Sequence, residues 1–296
     1  MTSLWIAADW GTTNLRLWAM DGPDIIHHRA SPRGMGGLRS DEFAAVLDAE
    51  IAPWAQWSNA PVIACGMVGS RQGWFEAPYA QTPAPAQTPL VRVPESNVWI
   101  AGGISQAHPA DVMRGEETQI AGLIATHPAF NGVICLPGTH TKWVRIAGGE
   151  ITQFQSFMTG EIFSLLSEHS VLRHTVGAQL AQAQEEAAFD AACVGTLADP
   201  ASVFSNLFRL RAEALLDTPA PDRARATLSG LMIGAELAAA KSFWQGVEVA
   251  LIGAPALSHL YGRALEAQGV AIRMQDASAM TLAGLYQAST RIGETR

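Results

Sequence analysis

A single pattern occurs twice in this chain and narrows its fold more than any other. Leu4 to Asp9, Leu15 to Met20 and Ile25 to Arg29 are short β-prone runs separated by Gly11-Thr12-Thr13 and Asp21-Gly22-Pro23, the spacing of consecutive hairpins. Gly132 to Leu136, Lys142 to Ala147 and Ile151 to Phe157 repeat that order. At an offset of 127 residues, Gly11-Thr12 falls on Gly138-Thr139 and Gly22 on Gly149. Each half therefore opens as a three-stranded meander with a Gly-Thr turn after its first strand, and an internal structural duplication is expected.

After the first meander, the spacing of Phe43, Val46, Leu47 and Ile51 predicts a helix from Asp41 to Trp57 behind a Ser40 cap. Strands are predicted at Pro61 to Cys65 and Val98 to Gly102, and a helix at Gly115 to Ala125. Gln81 to Pro89, with Pro83, Pro85 and Pro89, reads as a surface loop. Beyond the second meander, Glu161 to Arg173, Gln179 to Leu197, Ser202 to Leu216 and Thr227 to Trp244 read as helices. The chain closes with strand Val247 to Ile252, helix Pro255 to Gln268, strand Val270 to Met274 and helix Ser278 to Gln287, an order that implies parallel pairing through helical crossovers. The fold class expected is α/β, each half a mixed sheet flanked by helices.

With 296 residues, 48% hydrophobic and 16% charged, the chain can bury a large core, as two domains or one elaborated one, and is too apolar for disorder. A net charge of −8 argues against extended contact with a phosphate backbone, so nucleic acid is excluded as a partner. Cys65, Cys135 and Cys193 are too scattered for a disulfide framework or a zinc site. No histidine pair has zinc-site spacing, and no structural metal is predicted. Asp9 cuts the first apolar run and no run of 18 apolar residues follows, so neither a signal peptide nor a membrane span is expected, and the expected location is cytoplasmic.

The Gly-Thr turns carry the chemistry. Glycine lets backbone amides approach an anion, and threonine hydroxyls donate to its oxygens. Taken alone, either turn reads more simply as a tight hairpin. Together, with Asp9 before one and Lys142, one of only two lysines, after the other, they read as a nucleotide phosphate site. Asp9 is placed to hold magnesium through a bound water. His140, inside the second turn, can donate to a phosphate oxygen, whereas His169 and His259 read as packed or capping residues. Gly253 and Ala254 end a buried strand where a helix begins, a junction suited to a nucleotide. Gly230 and Gly234, four apart, fit either adenine lying along a helix or close helix packing.

The strings DWGTTNLR (9 to 16), GMVGSRQGW with APY (66 to 74, 77 to 79), MRGEETQ (113 to 119), PGTHTKWV (137 to 144), TGE with LL and HS (159 to 170) and LSGLMIGAE (228 to 236) resemble the 2-dehydro-3-deoxygalactonokinase family in order over nearly the whole chain. The resemblance implies the actin, hexokinase and Hsp70 superfold: two ribonuclease-H-like domains around an ATP cleft. The expected domains are 1–112, with the sugar acid and first phosphate turn, and 113–296, with the second turn and adenosine site. It also implies ATP-dependent, magnesium-dependent phosphorylation of 2-dehydro-3-deoxy-D-galactonate at its C6 hydroxyl, a step of galactonate and galactose breakdown. Partners would then be a small-molecule sugar acid and ATP, with a homodimer as the assembly considered. Two rivals stand beside it: a kinase for the gluconate-derived epimer, and a non-catalytic nucleotide-binding regulator.

Phosphoryl transfer needs charge neutralisation, an in-line acceptor and a carboxylate to take the hydroxyl proton. The resemblance assigns Gly11, Thr12, Thr13 and Asn14 to the first phosphate turn and Gly138, Thr139, His140 and Lys142 to the second. Similar sugar kinases place an acid at a helix start, which here gives Glu116 as base with Glu117 close behind. Those kinases generally use Asp, and both acids equally suit a helix dipole. Asp111 and Glu161 are further candidates. For the sugar acid, Arg71 and Arg33 are candidates to bind the carboxylate bidentately; Ser70 and Tyr79 offer hydroxyls, and Trp74 a stacking surface. Arg71 reads equally as an exposed loop cation and Trp74 as a packed residue.

Overall fold

In a computed structural model describing residues 4–176, 183–216 and 221–292, both meanders form. Strands β1 (Leu4–Trp10), β2 (Leu15–Asp21) and β3 (Asp24–Ser31) are antiparallel neighbours, with Gly22 at φ 56° in the second hairpin. Helix α1 (Phe43–Ile51) follows, and β4 (Val62–Cys65) returns parallel to β1. The helix is shorter than the predicted Asp41–Trp57. Glu42 rather than Ser40 sits at its start, and Pro53 separates it from a 3-10 turn at Ala55–Trp57 by crowding the carbonyl four residues back.

Gln81 to Pro89 is not a plain surface loop. It holds the end of β5 (Tyr79–Gln81) and β6 (Ala84–Pro85), and Ala84, Ala86 and Thr88 are buried. Pro85 is tolerated because β6 is an edge strand. Then come β7 (Leu90–Arg92), β8 (Val98–Ala101), β9 (Gly103–Gln106), β10 (Asp111–Met113) and α2 (Glu116–Thr126). The first large sheet runs β3-β2-β1-β4-β8-β7, and a small one runs β10-β9-β5.

The second meander is β11 (Gly132–Leu136), β12 (Thr141–Ala147) and β13 (Glu150–Phe157). The helix predicted from Glu161 to Arg173 is broken into α3 (Thr159–Ser164), a π turn at Leu165–His169 and a 3-10 turn at Val171–His174, where the Ser170 hydroxyl accepts the Leu172 N–H. Next are α4 (Ala183–Ala198), α5 (Val203–Leu216), α6 (Pro221–Ala239) and α7 (Lys241–Trp244). Residues 179–182 of the predicted Gln179–Leu197 helix lie outside the described residues. The helix predicted to run on to Trp244 breaks at Ala240. Finally β14 (Val249–Gly253), α8 (Pro255–Glu266), β15 (Ile272–Asp276) and α9 (Ala277–Ser289) alternate, and Asp276 caps α9 through the Ala279 N–H.

The strands of the second half run β15-β14-β11-β12-β13, with β14 parallel to β11. Both halves thus share one order: three meander strands, then two later strands on the side of the first. Among the described residues, 4–131, 145–154 and 275–292 form one compact unit, and those within 132–144 and 155–274 form another. In the first unit the sheet is covered on both faces. Ile6, Trp10 and Leu17 pack with Phe43 of α1 on one side, and Trp5, Ala7 and Trp18 pack with Leu285 of α9 on the other. That explains why β1 is apolar along nearly its whole length. Helix α9 also lies against α2, where Cβ atoms on Gly122 and Gly284 would come within 2.0 Å of the opposing backbone. In the second unit, Val133, Cys135 and Trp143 pack with Phe189, Ile233 and Leu265.

Candidate active site

The first Gly-Thr turn closes through the Gly11 N–H, which donates to the Asn14 carbonyl at 2.9 Å, and Thr12, Thr13 and Asn14 are exposed. Its carbonyls face the loop after β3, where the Gly34, Met35 and Gly36 N–H groups donate to Thr13, Gly11 and Thr12. Gly34 cannot be replaced without a shift, because a Cβ there would lie 2.2 Å from the Thr13 carbonyl carbon. The second turn is held the same way. A Cβ on Gly160 would lie 2.3 Å from the Gly138 oxygen, and the Glu161 N–H donates to Thr139 at 3.0 Å. Gly34 and Gly160 each sit three residues past the third meander strand. That shared spacing was the available signal for both clamps, and it was missed. The Glu161 carboxylate bonds His140 Nε2, and the buried Lys142 ammonium donates to the His140 carbonyl at 3.1 Å.

Asp9, next to last in β1, lies near the start of α2. Its Oδ2 pairs with Arg16, which also donates to Ser278 Oγ at 3.0 Å. A Cβ on Gly66 would come 3.4 Å from Asp9 Oδ1, and one on Gly115 would come 3.3 Å from Gly66 Cα. Gly66 and Gly115 have φ of 93° and 108°, so both glycines are required for this close approach. Glu117 is fully buried, its Oε2 accepting the Gly115 N–H at 2.7 Å and its Oε1 lying 3.2 Å from the Thr118 hydroxyl. Burial, then the neighbouring Glu116 charge, push its pKa up to about 8. Glu116 is half-buried, with Oε2 accepting the Arg114 N–H at 3.1 Å. Asp111, at the start of β10, accepts the Val112 N–H at 2.8 Å.

Of the sugar-acid candidates, Arg33 and Arg71 are exposed, and Ser70 is buried with its hydroxyl 3.8 Å from Met35 Sδ. Trp74 stacks on Phe43 at 5.9 Å and meets Trp10 edge-on at 6.1 Å. Tyr79 is partnered by Arg114, whose guanidinium lies 4.2 Å from the ring centroid, with Nε donating to the hydroxyl at 3.3 Å and Nη2 to the Ala77 carbonyl at 2.8 Å. Arg114 thereby ties the 66–79 loop to the start of α2. It lies in the MRGEETQ string, but its partners are some 35 residues away in the chain.

Within the second unit, Gly138, Thr139 and Ala254 line one cavity of about 390 Å³, together with Thr159, Gly160, Ser229, Met232 and Tyr261. That volume suits a small ligand such as a nucleoside. Gly253 stands just outside, where a Cβ would meet Ser258 Oγ at 2.8 Å and the Pro137 oxygen at 3.2 Å. Gly230 and Gly234 face away, 2.4 Å and 2.6 Å by the same measure from the Phe189 and Cys193 carbonyls of α4. Close helix packing therefore accounts for their spacing. Among the described residues no group of three metal-ligating side chains occurs. The single carboxylate of Asp9, with Oδ2 committed to Arg16, fits magnesium, which keeps several waters and draws further ligands from phosphates.

The model of the 2-keto-3-deoxy-galactonokinase family matches residues 9–288. The chain belongs to that family. The chain is 40% identical over 297 residues to the "Probable 2-dehydro-3-deoxygalactonokinase DgoK1" of Rhizobium meliloti, covering 97% of this chain and 96% of the relative. It is 37% identical over 276 residues to the 2-dehydro-3-deoxygalactonokinase of Escherichia coli, covering 91% of each. A Sinorhizobium meliloti protein solved under the same kinase designation superposes with a TM-score of 0.90 at 39% identity, over 97% of this chain and 96% of that one. An activator of 2-hydroxyisocaproyl-CoA dehydratase from Clostridium difficile, at 12% identity and a TM-score of 0.56 over 99% of this chain and 96% of its own, shares the fold. The chain is thus a sugar kinase with the actin-like ATPase fold. No helix among its described residues is long and apolar enough to cross a membrane.

Proposed function

We propose that this protein transfers the γ-phosphoryl group of ATP to the C6 hydroxyl of 2-dehydro-3-deoxy-D-galactonate, giving the 6-phosphate and ADP, in the cytoplasm. The observation that carries the reading is the pair of Gly-Thr turns, each clamped by a glycine. One lies beside Asp9, and the other lines a nucleoside-sized cavity, in a chain of this family. In the first unit Gly11, Thr12, Thr13 and Asn14 would bind phosphate oxygens; in the second Gly138, Thr139, His140 and Lys142 would do the same, with Gly253 and Ala254 bordering the adenosine. Asp9 would hold magnesium through water, and the ion would neutralise charge on the phosphates.

Glu117, with a pKa near 8, is protonated at pH 7 and enclosed. Glu116 is the member of the pair open to solvent, and it takes the C6 hydroxyl proton. Arg33, Arg71, Ser70, Trp74 and Tyr79 would recognise the sugar acid. Coupled ADP release over a panel of 2-keto-3-deoxy acids tests the proposal, which fails without sugar-dependent release. Rates on the galactonate and gluconate epimers, side by side, decide between those substrates. Glu116→Ala is expected to lower turnover by about 10²- to 10⁴-fold while sparing ATP affinity; near-full turnover in both Glu116→Ala and Glu117→Ala would remove the base from this pair. Sedimentation of the purified protein tests the homodimer.

A further inference from the structure

Behind the cavity of the second unit lies a polar cluster to which the proposed chemistry assigns no role. Glu236, on α6, is 3% exposed. Trp143 Nε1 donates to its Oε1 at 2.7 Å, and the Tyr261 hydroxyl donates to its Oε2 at 2.7 Å. The hydroxyls of Thr159 and Thr141 also bond to the carboxylate, and Thr141 Oγ1 lies 3.1 Å from the Tyr261 oxygen. An indole N–H can only donate, and each hydroxyl has one proton to give, so the cluster is built around a group that accepts at both oxygens. Glutamine, the amide of the same shape, accepts at one oxygen only.

The partners matter as much as the carboxylate. Thr159 and Tyr261 line the cavity, and Thr159 immediately precedes Gly160, the glycine that clamps the second turn. Thr141 and Trp143 follow that turn on β12. One side chain on α6 therefore joins the start of α3, the middle of α8 and the strand leaving the phosphate turn.

We infer that Glu236 is a positioning residue for the nucleotide, fixing Thr159 and Tyr261 in the cavity wall and Thr141 behind the Gly138-Thr139 turn without touching ATP itself. The inference rests on the nucleotide reading of that cavity. Glu236→Gln keeps the shape but replaces one acceptor by an NH₂ donor. Trp143 cannot reverse, so the amide oxygen stays with it and the NH₂ group meets Tyr261, whose hydroxyl must turn away.

The test is steady-state kinetics on folded Glu236→Gln, Tyr261→Phe, their double variant and Ala256→Trp, which fills the cavity from α8. Partial unfolding would lower the concentration of active enzyme and hence apparent turnover, leaving KM unchanged. Loss of positioning raises KM for ATP. Glu236→Gln is expected to raise KM for ATP about tenfold with KM for the sugar acid within about twofold, and Tyr261→Phe to raise it about threefold. The double variant should be no worse than Glu236→Gln, because phenylalanine removes the hydroxyl that glutamine mispairs. Wild-type KM for ATP in Glu236→Gln and Tyr261→Phe, with Ala256→Trp impaired, overturns the role of Glu236 alone. Wild-type KM in Ala256→Trp as well overturns the nucleotide reading of the cavity. Should Glu236→Gln not fold, Tyr261→Phe decides by the same criterion.

Discussion

Glu117 gives the most direct quantitative test of the first unit. Its side chain is buried and its pKa rises from 4.5 to about 8, so the folded protein favours the neutral acid. Below pH 4.5 folded and unfolded chains both hold the proton, and the contribution of Glu117 is fully present. Between 4.5 and about 8 the unfolded chain releases the proton while the folded one keeps it, so stability falls as pH rises. Above 8 both are ionised and the loss levels off. At about 1.4 kcal/mol per pH unit, the span from 4.5 to about 8 amounts to about 5 kcal/mol. Glu117→Gln removes the ionisation and keeps the hydrogen bonds, its amide oxygen accepting the Gly115 N–H and its NH₂ donating to Thr118. Urea unfolding of both proteins at intervals from pH 5 to 9, without nucleotide or metal, should show the variant gaining on the wild type by several kcal/mol across that range. Stability curves that stay parallel would refute the buried neutral acid.

Three further outcomes are expected. Gly34→Ala and Gly160→Ala, each driving a Cβ to within 2.3 Å of a turn backbone, should each destabilise by about 2 kcal/mol or more and raise KM for ATP, whereas Gly37→Ala, with nothing within 4 Å, should be neutral in thermal melts and kinetics. Arg114→Lys loses the bond to Ala77 and the fork over Tyr79; KM for the sugar acid should rise about tenfold with KM for ATP little changed. Gly230→Ala, pressed against the Phe189 carbonyl at 2.4 Å, should lower Tm yet leave both KM values of the folded fraction intact.

What could be read from the sequence follows the range of the forces involved. The two meanders, their Gly-Thr turns and the closing β-α-β-α order are set by local period and by glycines at hairpins, and they appear within a residue or two of their predicted places. Interruptions set by one neighbour, such as Pro53 ending α1, were legible in principle and were overrun by the apolar spacing. Long-range partners were not legible. Ala84 pairs with Ile151, and no local signal in a proline-bearing segment announces a strand whose partner lies so far along the chain. The partners of Arg16 and Arg114, namely Asp9 and Ser278 for one and Tyr79 for the other, are brought to them only by the fold. Gly230 and Gly234 had two readings of equal merit, and only the position of α4 separates them.

The return of α9 to the first unit has a consequence in time. A ribosome makes β1 to α2 first, yet the face of that sheet carrying Trp5 and Trp18 stays uncovered until residues 275–292 emerge with Leu285. The segment from 155 to 274 is synthesised in the interval and can condense while the earlier portion waits. The half of the molecule born first is thus completed last, and shortening the carboxyl end wounds the amino-terminal sheet.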